Sequence, residues 1–172
     1  LIATGGRGVY RMDMDSLVPK PYITADYASH NGMNGDNIND IYLDRGDRIW
    51  LANYPAGVTI RNNRYQSYEW FRHSPGNSRS LVNDQVHDVI EDSEGDLWFA
   101  TSNGISLLQP AVGRWRSFLS RSDGIQDGGN HIFLTLCEVS PGVICAGGYA
   151  SGLYRIEKKT GRVEYFPPSF AA

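Results

Sequence analysis

Apolar and polar residues alternate along "VHDVIED" (86–92), stop at "SEGD", and alternate again along "LWFAT" (97–101). Period-two alternation marks a strand with one face towards a core, and an acidic stretch containing Gly supplies the turn between two strands. Asn103-Gly104 is a strong short-hairpin signal, and it predicts a third strand over 105–109. "GRWRSFL" predicts a fourth. Forty-eight residues earlier the pattern is nearly the same, with Asp40, Asp44 and Trp50 standing where Asp88, Asp92 and Trp98 stand later. A degraded copy follows 46 residues further on and sets Ile132, Glu138, Ile144 and Ala146 against Val86, Asp92, Trp98 and Ala100. The opening "LIATGGRGVY" lines up with "WFATSNGISL", so the first copy lacks its first strand. No helical period survives over a useful length.

Four short antiparallel strands every 44–48 residues describe one propeller blade. The predicted class is all-β, a partial β-propeller of about four blades whose first lacks its innermost strand. The expected units are 1–33 (partial), 34–81, 82–125 and 126–172, within one propeller segment over 1–172. Blades pack face to face, so Trp50 and Trp98 are expected in the cores between them, each contributing a few kcal/mol at about 25 cal/mol per Å². Asp44 and Asp92 are expected to accept backbone N–H bonds in the turn between the first two strands. Their recurrence argues for structure, because a catalytic acid needs to exist once.

Composition narrows the function classes. The 172 residues carry a net charge of −3, against the basic surface that nucleic acid or an anionic membrane would require. No apolar run is long enough to span a bilayer. With no initiator Met and no signal peptide, the chain reads as a trimmed fragment whose targeting information has been removed. Cys137 and Cys145 bracket a hairpin centred on Pro141-Gly142; direct opposition strains disulfide geometry, so a bond and two buried thiols both stand as readings. No cofactor is expected. His30, His73, His87 and His131 lack metal-ligand spacing, "NGDNIND" (34–40) lacks the EF-hand pattern, and "RGD" (45–47) aligns with an ordinary turn. No nucleophile elbow, H-E-x-x-H, Walker loop or Rossmann fingerprint occurs. Glu91 and Asp92 sit on the repetitive turn; Asp36, Asp123 and Asp127 are catalytic acids in name only.

At "NSRSLVNDQVHDVIEDSEGDLWFATSNGISLL" (77–108) the sequence resembles the two-component regulator propeller repeat, found in periplasmic sensor regions of bacterial hybrid two-component systems. The shared features are "SL-x-N-D-x-V", "D-x-x-G-D-L-W" and "A-T-S-N-G-I". "DRGDRIWLANYPAG" and "IATGGRG" continue the likeness, while Pro141-Gly142 and Ile144 depart from it. The resemblance implies a non-enzymatic, periplasmic sensory module responding to a small molecule or oligosaccharide. In the full protein it implies a membrane helix and a histidine kinase, often with receiver and DNA-binding domains. It also implies the remainder of the sensor propeller as a partner, since family rings have about seven blades; a homodimer is the other way to close. Neither nucleic acid nor membrane contact is expected in this segment. The rival classes are a protein–protein scaffold propeller and a propeller glycoside hydrolase or lyase.

Naming the strands of a blade A to D from the inside out, the B–C and D–A loops share one rim. The B–C loops are "GGRG" (5–8), "NYPAG" (53–57), "SNG" (102–104) and "GGYASG" (147–152); the D–A loops include 28–37, 72–80 and 121–130. Arg7, Tyr54, Asn103 and Tyr149 occupy matching B–C positions yet differ from unit to unit, as a specific site requires. Tyr rings offer stacking faces to a sugar, with Arg and Asn as hydrogen-bonding groups. These four are the expected ligand-facing residues.

Overall fold

A computed structural model describes residues 1–25, 32–121 and 131–168. All fifteen strands of the described residues fall into four antiparallel sheets, each in chain order. The first sheet has three strands, β1 (Ile2–Thr4), β2 (Gly8–Met12) and β3 (Pro19–Ile23), so strand A is missing as expected. The second comprises β4 (Ile38–Leu43), β5 (Arg48–Asn53), β6 (Gly57–Asn62) and β7 (Ser67–Phe71). The third comprises β8 (Val86–Glu91), β9 (Leu97–Thr101), β10 (Gly104–Gln109) and β11 (Arg114–Phe118). The fourth comprises β12 (Phe133–Ser140), β13 (Val143–Gly148), β14 (Gly152–Glu157) and β15 (Val163–Phe166). Inner strands of successive sheets adjoin, β1 with β4, β4 with β8 and β8 with β12. The sheets are four blades of an open propeller.

Three cores lie between the blades. Val9, Ile23 and Met33 meet Ile38, Ile49 and Leu51; Trp50, Val58 and Ile60 meet Val89, Leu97 and Phe99; Trp98, Ile105 and Phe118 meet Phe133, Ile144 and Ile156. Trp50 and Trp98 are 1% and 0% exposed, which places both in interblade core. Each stacks on the aromatic of its own outer strand, Trp50 on Phe71 at 6.0 Å and Trp98 on Phe118 at 5.3 Å.

The turn aspartates do more than cap. Asp44 Oδ1 accepts from the backbone N–H of Gly46 and Arg48, and its Oδ2 accepts from Trp50 Nε1 at 2.8 Å. Asp92 repeats this with Glu94 and Asp96 N–H and with Trp98 Nε1 at 2.9 Å. One carboxylate therefore holds the turn and satisfies the buried indole N–H, which a Trp in a core needs.

Two further aspartates join blades. The axis-facing edge of an inner strand has no ladder partner, and its N–H groups need acceptors. Asp40 Oδ2 accepts from Val89 N at 3.0 Å, and Asp88 Oδ2 from Leu136 N at 2.6 Å, each reaching into the following blade.

Three details differ from the expectation. Gly104 pairs with Thr101, so the two-residue loop is Ser102-Asn103 and the glycine opens strand C instead of sitting inside the turn. Its φ of +99° and the Phe118 carbonyl, 2.8 Å from where a Cβ would stand, explain why Gly is needed there. In the last blade Glu138 pairs with Ile144, as Ile90 pairs with Trp98, so Glu138 does not take the place of Asp92. The two-residue turn Pro141-Gly142 is shorter than the one it replaces, and strand A extends to Ser140 to meet it. Cys137 and Cys145 are directly paired across β12 and β13 as free thiols, with Cys137 exposed and Cys145 half-buried. Leu136 faces the interblade core, so strand alternation turns Cys137 away from it. The expectation of two buried thiols is corrected on that point.

Candidate ligand-facing rim

Backbone hydrogen bonds place the B–C and D–A loops on one rim. Gly8 N and Gly57 N donate to Asp36 O and Asp84 O, at the entry to the next blade, and Gly104 N donates to His131 O. Tyr54, Ser102 and Tyr149 N–H donate to Asn37, Gln85 and Ile132 carbonyls within their own blades. The B–C hairpins of the second and third blades are thus each clamped between two D–A connections.

Asp36 and Asp84 complete the clamp with their side chains. Asp36 Oδ1 accepts from Ala25 N and Asp84 Oδ1 from His73 N, both at 2.6 Å. The Asn-Asp of the "SL-x-N-D-x-V" stretch is therefore a loop-fixing device, and Asp36 is occupied structurally. Asp123, Asp127 and His30 lie outside the described residues.

The four expected residues stand along this rim. Arg7 is exposed in the β1–β2 turn, its N–H donating to Thr4 Oγ1 at 3.2 Å. Tyr54 is half-buried, with its ring 5.9 Å from that of His87 in the next blade. Asn103 is half-buried, and its Oδ1 accepts from Arg121 N at 3.3 Å. Tyr149 is 56% exposed. No hydrogen bond or ring contact among the described residues joins any two of the four; they line one rim without forming one cluster.

The inner strands supply residues that the loop comparison missed. His87 Nε2 lies 2.8 Å from Ser102 Oγ, and its Nδ1 lies 3.4 Å from Asn39 Nδ2. Asn39 Nδ2 also donates to Val86 O at 2.9 Å, which fixes the amide's orientation and leaves a donor facing Nδ1. Nδ1 is then the acceptor, and Nε2–H donates to Ser102. That tautomer cannot take a proton from Ser102, so the pair is not arranged as a nucleophile with its base. Burial pushes the His87 imidazole below its ordinary range. One signal was available: His87 and Asn39 occupy the same strand position in successive units, 48 apart, and break the repeat.

Deeper on the inner strands, burial pushes the Asp88 carboxyl up to about 6, assisted by neighbouring Asp40 and opposed by the Leu136 N–H. At the opposite rim Lys158, 4% exposed, reaches Asp92 at 2.6 Å, Asp96 at 2.7 Å and Glu94 at 2.8 Å. Burial alone would lower its pKa, but the three carboxylates outweigh it and raise it. Burial likewise pushes Asp92 up, while Lys158, Trp98 and the Asp96 N–H bring it below its ordinary value. Among the described residues no group of three or more His, Cys, Asp or Glu is arranged to hold a metal ion.

Residues 80–103 match the family described as two component regulator propeller, within the stretch that carries the sequence resemblance. The fold is similar to the extracellular domain of a protein described as hybrid two component system BT3049 from B. thetaiotaomicron, with TM-score 0.77 and 22% identity over 95% of this chain and 22% of that one. A second, the extracellular domain of hybrid two component system BT4673 from the same organism, gives 0.69 and 21% over 95% and 21%. A third, PorZ, a surface component of the type-IX secretion system of Porphyromonas gingivalis, gives 0.62 and 12% over 95% and 25%. This chain therefore spans about a fifth to a quarter of the length of the solved structures it resembles. No curated protein matches the sequence.

Proposed function

We propose that this chain is part of the extracytoplasmic, ligand-sensing β-propeller of a hybrid two-component system, lying in the periplasm and responding to an oligosaccharide. The observation that carries the reading is the repeat match at residues 80–103, set in a chain-wide propeller like those of two-component extracellular domains. The chain itself is not an enzyme in this reading; the full protein carries a histidine kinase and controls transcription. The ligand meets the rim at Arg7, Tyr54, Asn103 and Tyr149, with His87 beside Tyr54. Binding there, or between this segment and the rest of the sensor propeller, favours one arrangement of a homodimer and so one kinase output. Such a shift requires only that the ligand bind that arrangement better.

The test is the output of the full-length protein on addition of oligosaccharides, with and without Tyr54→Ala and Tyr149→Ala. The expected result is a response that the double substitution removes while folding is unchanged. Hydrolysis of a glycan by the purified propeller would contradict the reading in favour of a propeller enzyme. A second reading has one observation behind it: the same fold occurs in PorZ, a secretion-system surface component. A scaffold of that kind would capture a protein partner and ignore sugars.

A further inference from the structure

The open face of the fourth blade carries a pair of reactive groups that the packing does not use. Leu136, Ile144, Ala146 and Ile156 pack towards the third blade, so strand alternation turns Cys137 and Cys145 to the opposite face. On that side the second and third blades carry the cross-strand pairs Tyr42–Trp50 and Ile90–Trp98, which fill the core against the blade that follows. The fourth carries two thiols instead, directly opposite one another on β12 and β13. Both cysteines stand outside the three interblade cores. Arg155, across from Cys145 on β14, is committed to Glu164 at 3.0 Å.

The ladder sets the distance between them. The Leu136 N–H points to Asp88 Oδ2, away from β13, so alternation turns the N–H and carbonyl of Cys137 towards β13. Cys137 and Cys145 are therefore a hydrogen-bonded antiparallel pair, whose Cα atoms stand about 5.5 Å apart. A disulfide spans Cα separations of about 4.4–6.8 Å, so the strands need not part to close one. It also wants Cβ atoms about 3.8 Å apart, whereas directly opposed residues hold theirs at about 4.5–5.5 Å. The bond forms only by drawing the two side chains together against the ladder, and a strained disulfide is an easily reduced one.

Unequal exposure sets the order of reaction. Cys137 is exposed and Cys145 half-buried; burial pushes the Cys145 thiol up, assisted by Cys137 and opposed by Arg155. A disulfide oxidant such as oxidised glutathione therefore meets Cys137 first. The Cys137 thiolate attacks one of its sulfurs, the glutathione S–S bond breaks, and one glutathione leaves as the thiol. Cys145 then gives its proton to water, attacks the Cys137 sulfur and displaces the second glutathione. Two protein thiols become one disulfide, and the oxidant takes up the two electrons and two protons. We propose that Cys137 and Cys145 form a reversible cross-strand disulfide on the open face of the fourth blade, closed by disulfide oxidants and opened by glutathione. Because other blades receive their neighbour on this side, the state of the bond changes the surface offered there. The pair takes from the sensor reading only an oxidising, extracytoplasmic setting. Its chemistry needs no ligand, so either reading can fail while the other stands.

Incubation of the 172-residue chain with oxidised glutathione tests it, read by intact mass and by alkylation of free thiols with iodoacetamide. The expected product is a single chain lighter by its two thiol hydrogens, with neither cysteine alkylated. Excess reduced glutathione, without denaturant, should then restore both thiols. Cys145→Ser should instead keep one glutathione on Cys137, trapping the first step. Cys137→Ser should be modified about tenfold more slowly or less, because the half-buried sulfur is left to react alone. Serine differs from cysteine by one atom, so folding of both variants should be unchanged by circular dichroism. Two free thiols persisting after oxidation, two glutathiones held on one chain, or a disulfide formed only between chains would overturn the proposal. So would a closed bond that reduced glutathione leaves intact, since that is the behaviour of a fixed structural disulfide.

Discussion

At the scale of residues, the repeated aspartates divide the work. Asp92 is one centre of it, accepting from the turn, from Trp98 and from Lys158 at once. Replacing Lys158 by Met keeps most of its volume and leaves Asp92 and Asp96 buried without their cation. Breaking a buried pair from one side costs about 3 kcal/mol or more, so Lys158→Met should lower the urea midpoint accordingly. Asp88 behaves differently. Its carboxyl is held at about 6 in the folded chain against an ordinary 3.8, so the folded state binds the extra proton between those values. Stability from this group therefore falls as pH rises from about 4 through about 6. Asp88→Asn keeps an acceptor for Leu136 N–H and removes the charge. It should raise the melting temperature at pH 7.5, with a gain that shrinks towards pH 5. Asp44 and Asp92, both held below their ordinary values, act in the opposite sense. Their contribution disappears only as pH falls below the usual carboxylate range.

At the scale of elements, the period and alternation made the strands legible, because a blade's two buried faces and its turns repeat in the sequence itself. Trp50, Trp98, Asp44 and Asp92 could be placed for the same reason. What could not be read was the polar contacts joining one blade to the next. Lys158 is one of several cations in the most degraded unit, and its partners lie more than sixty residues away. Asp40 and Asp88 looked like ordinary strand residues until their acceptance of the next blade's N–H groups was visible. The register of the last blade was misplaced because an ungapped comparison cannot see a shortened turn. The B–C loops were legible from topology. Gly104 tests the element-scale account. Gly104→Ala forces a side chain into φ +99° against the Phe118 carbonyl, and should cost about 1 kcal/mol or more in chemical unfolding.

At the scale of the molecule, the blades are stable only against neighbours, and the fourth shows what happens without one. Ile105 and Phe118 pair across the third blade and are 0% and 6% exposed. Leu153 and Phe166 hold the same places in the fourth and are 43% and 47% exposed. That face is built to be covered, by another blade or by a second copy of the chain. The measurement that tests this most directly is the solution mass of the 172-residue chain by sedimentation across micromolar concentrations. The account predicts a species heavier than the 19.1 kDa monomer, reverting to monomer when Leu153→Lys and Phe166→Lys are introduced. A monomer at every concentration would contradict the claim that this face seeks a partner.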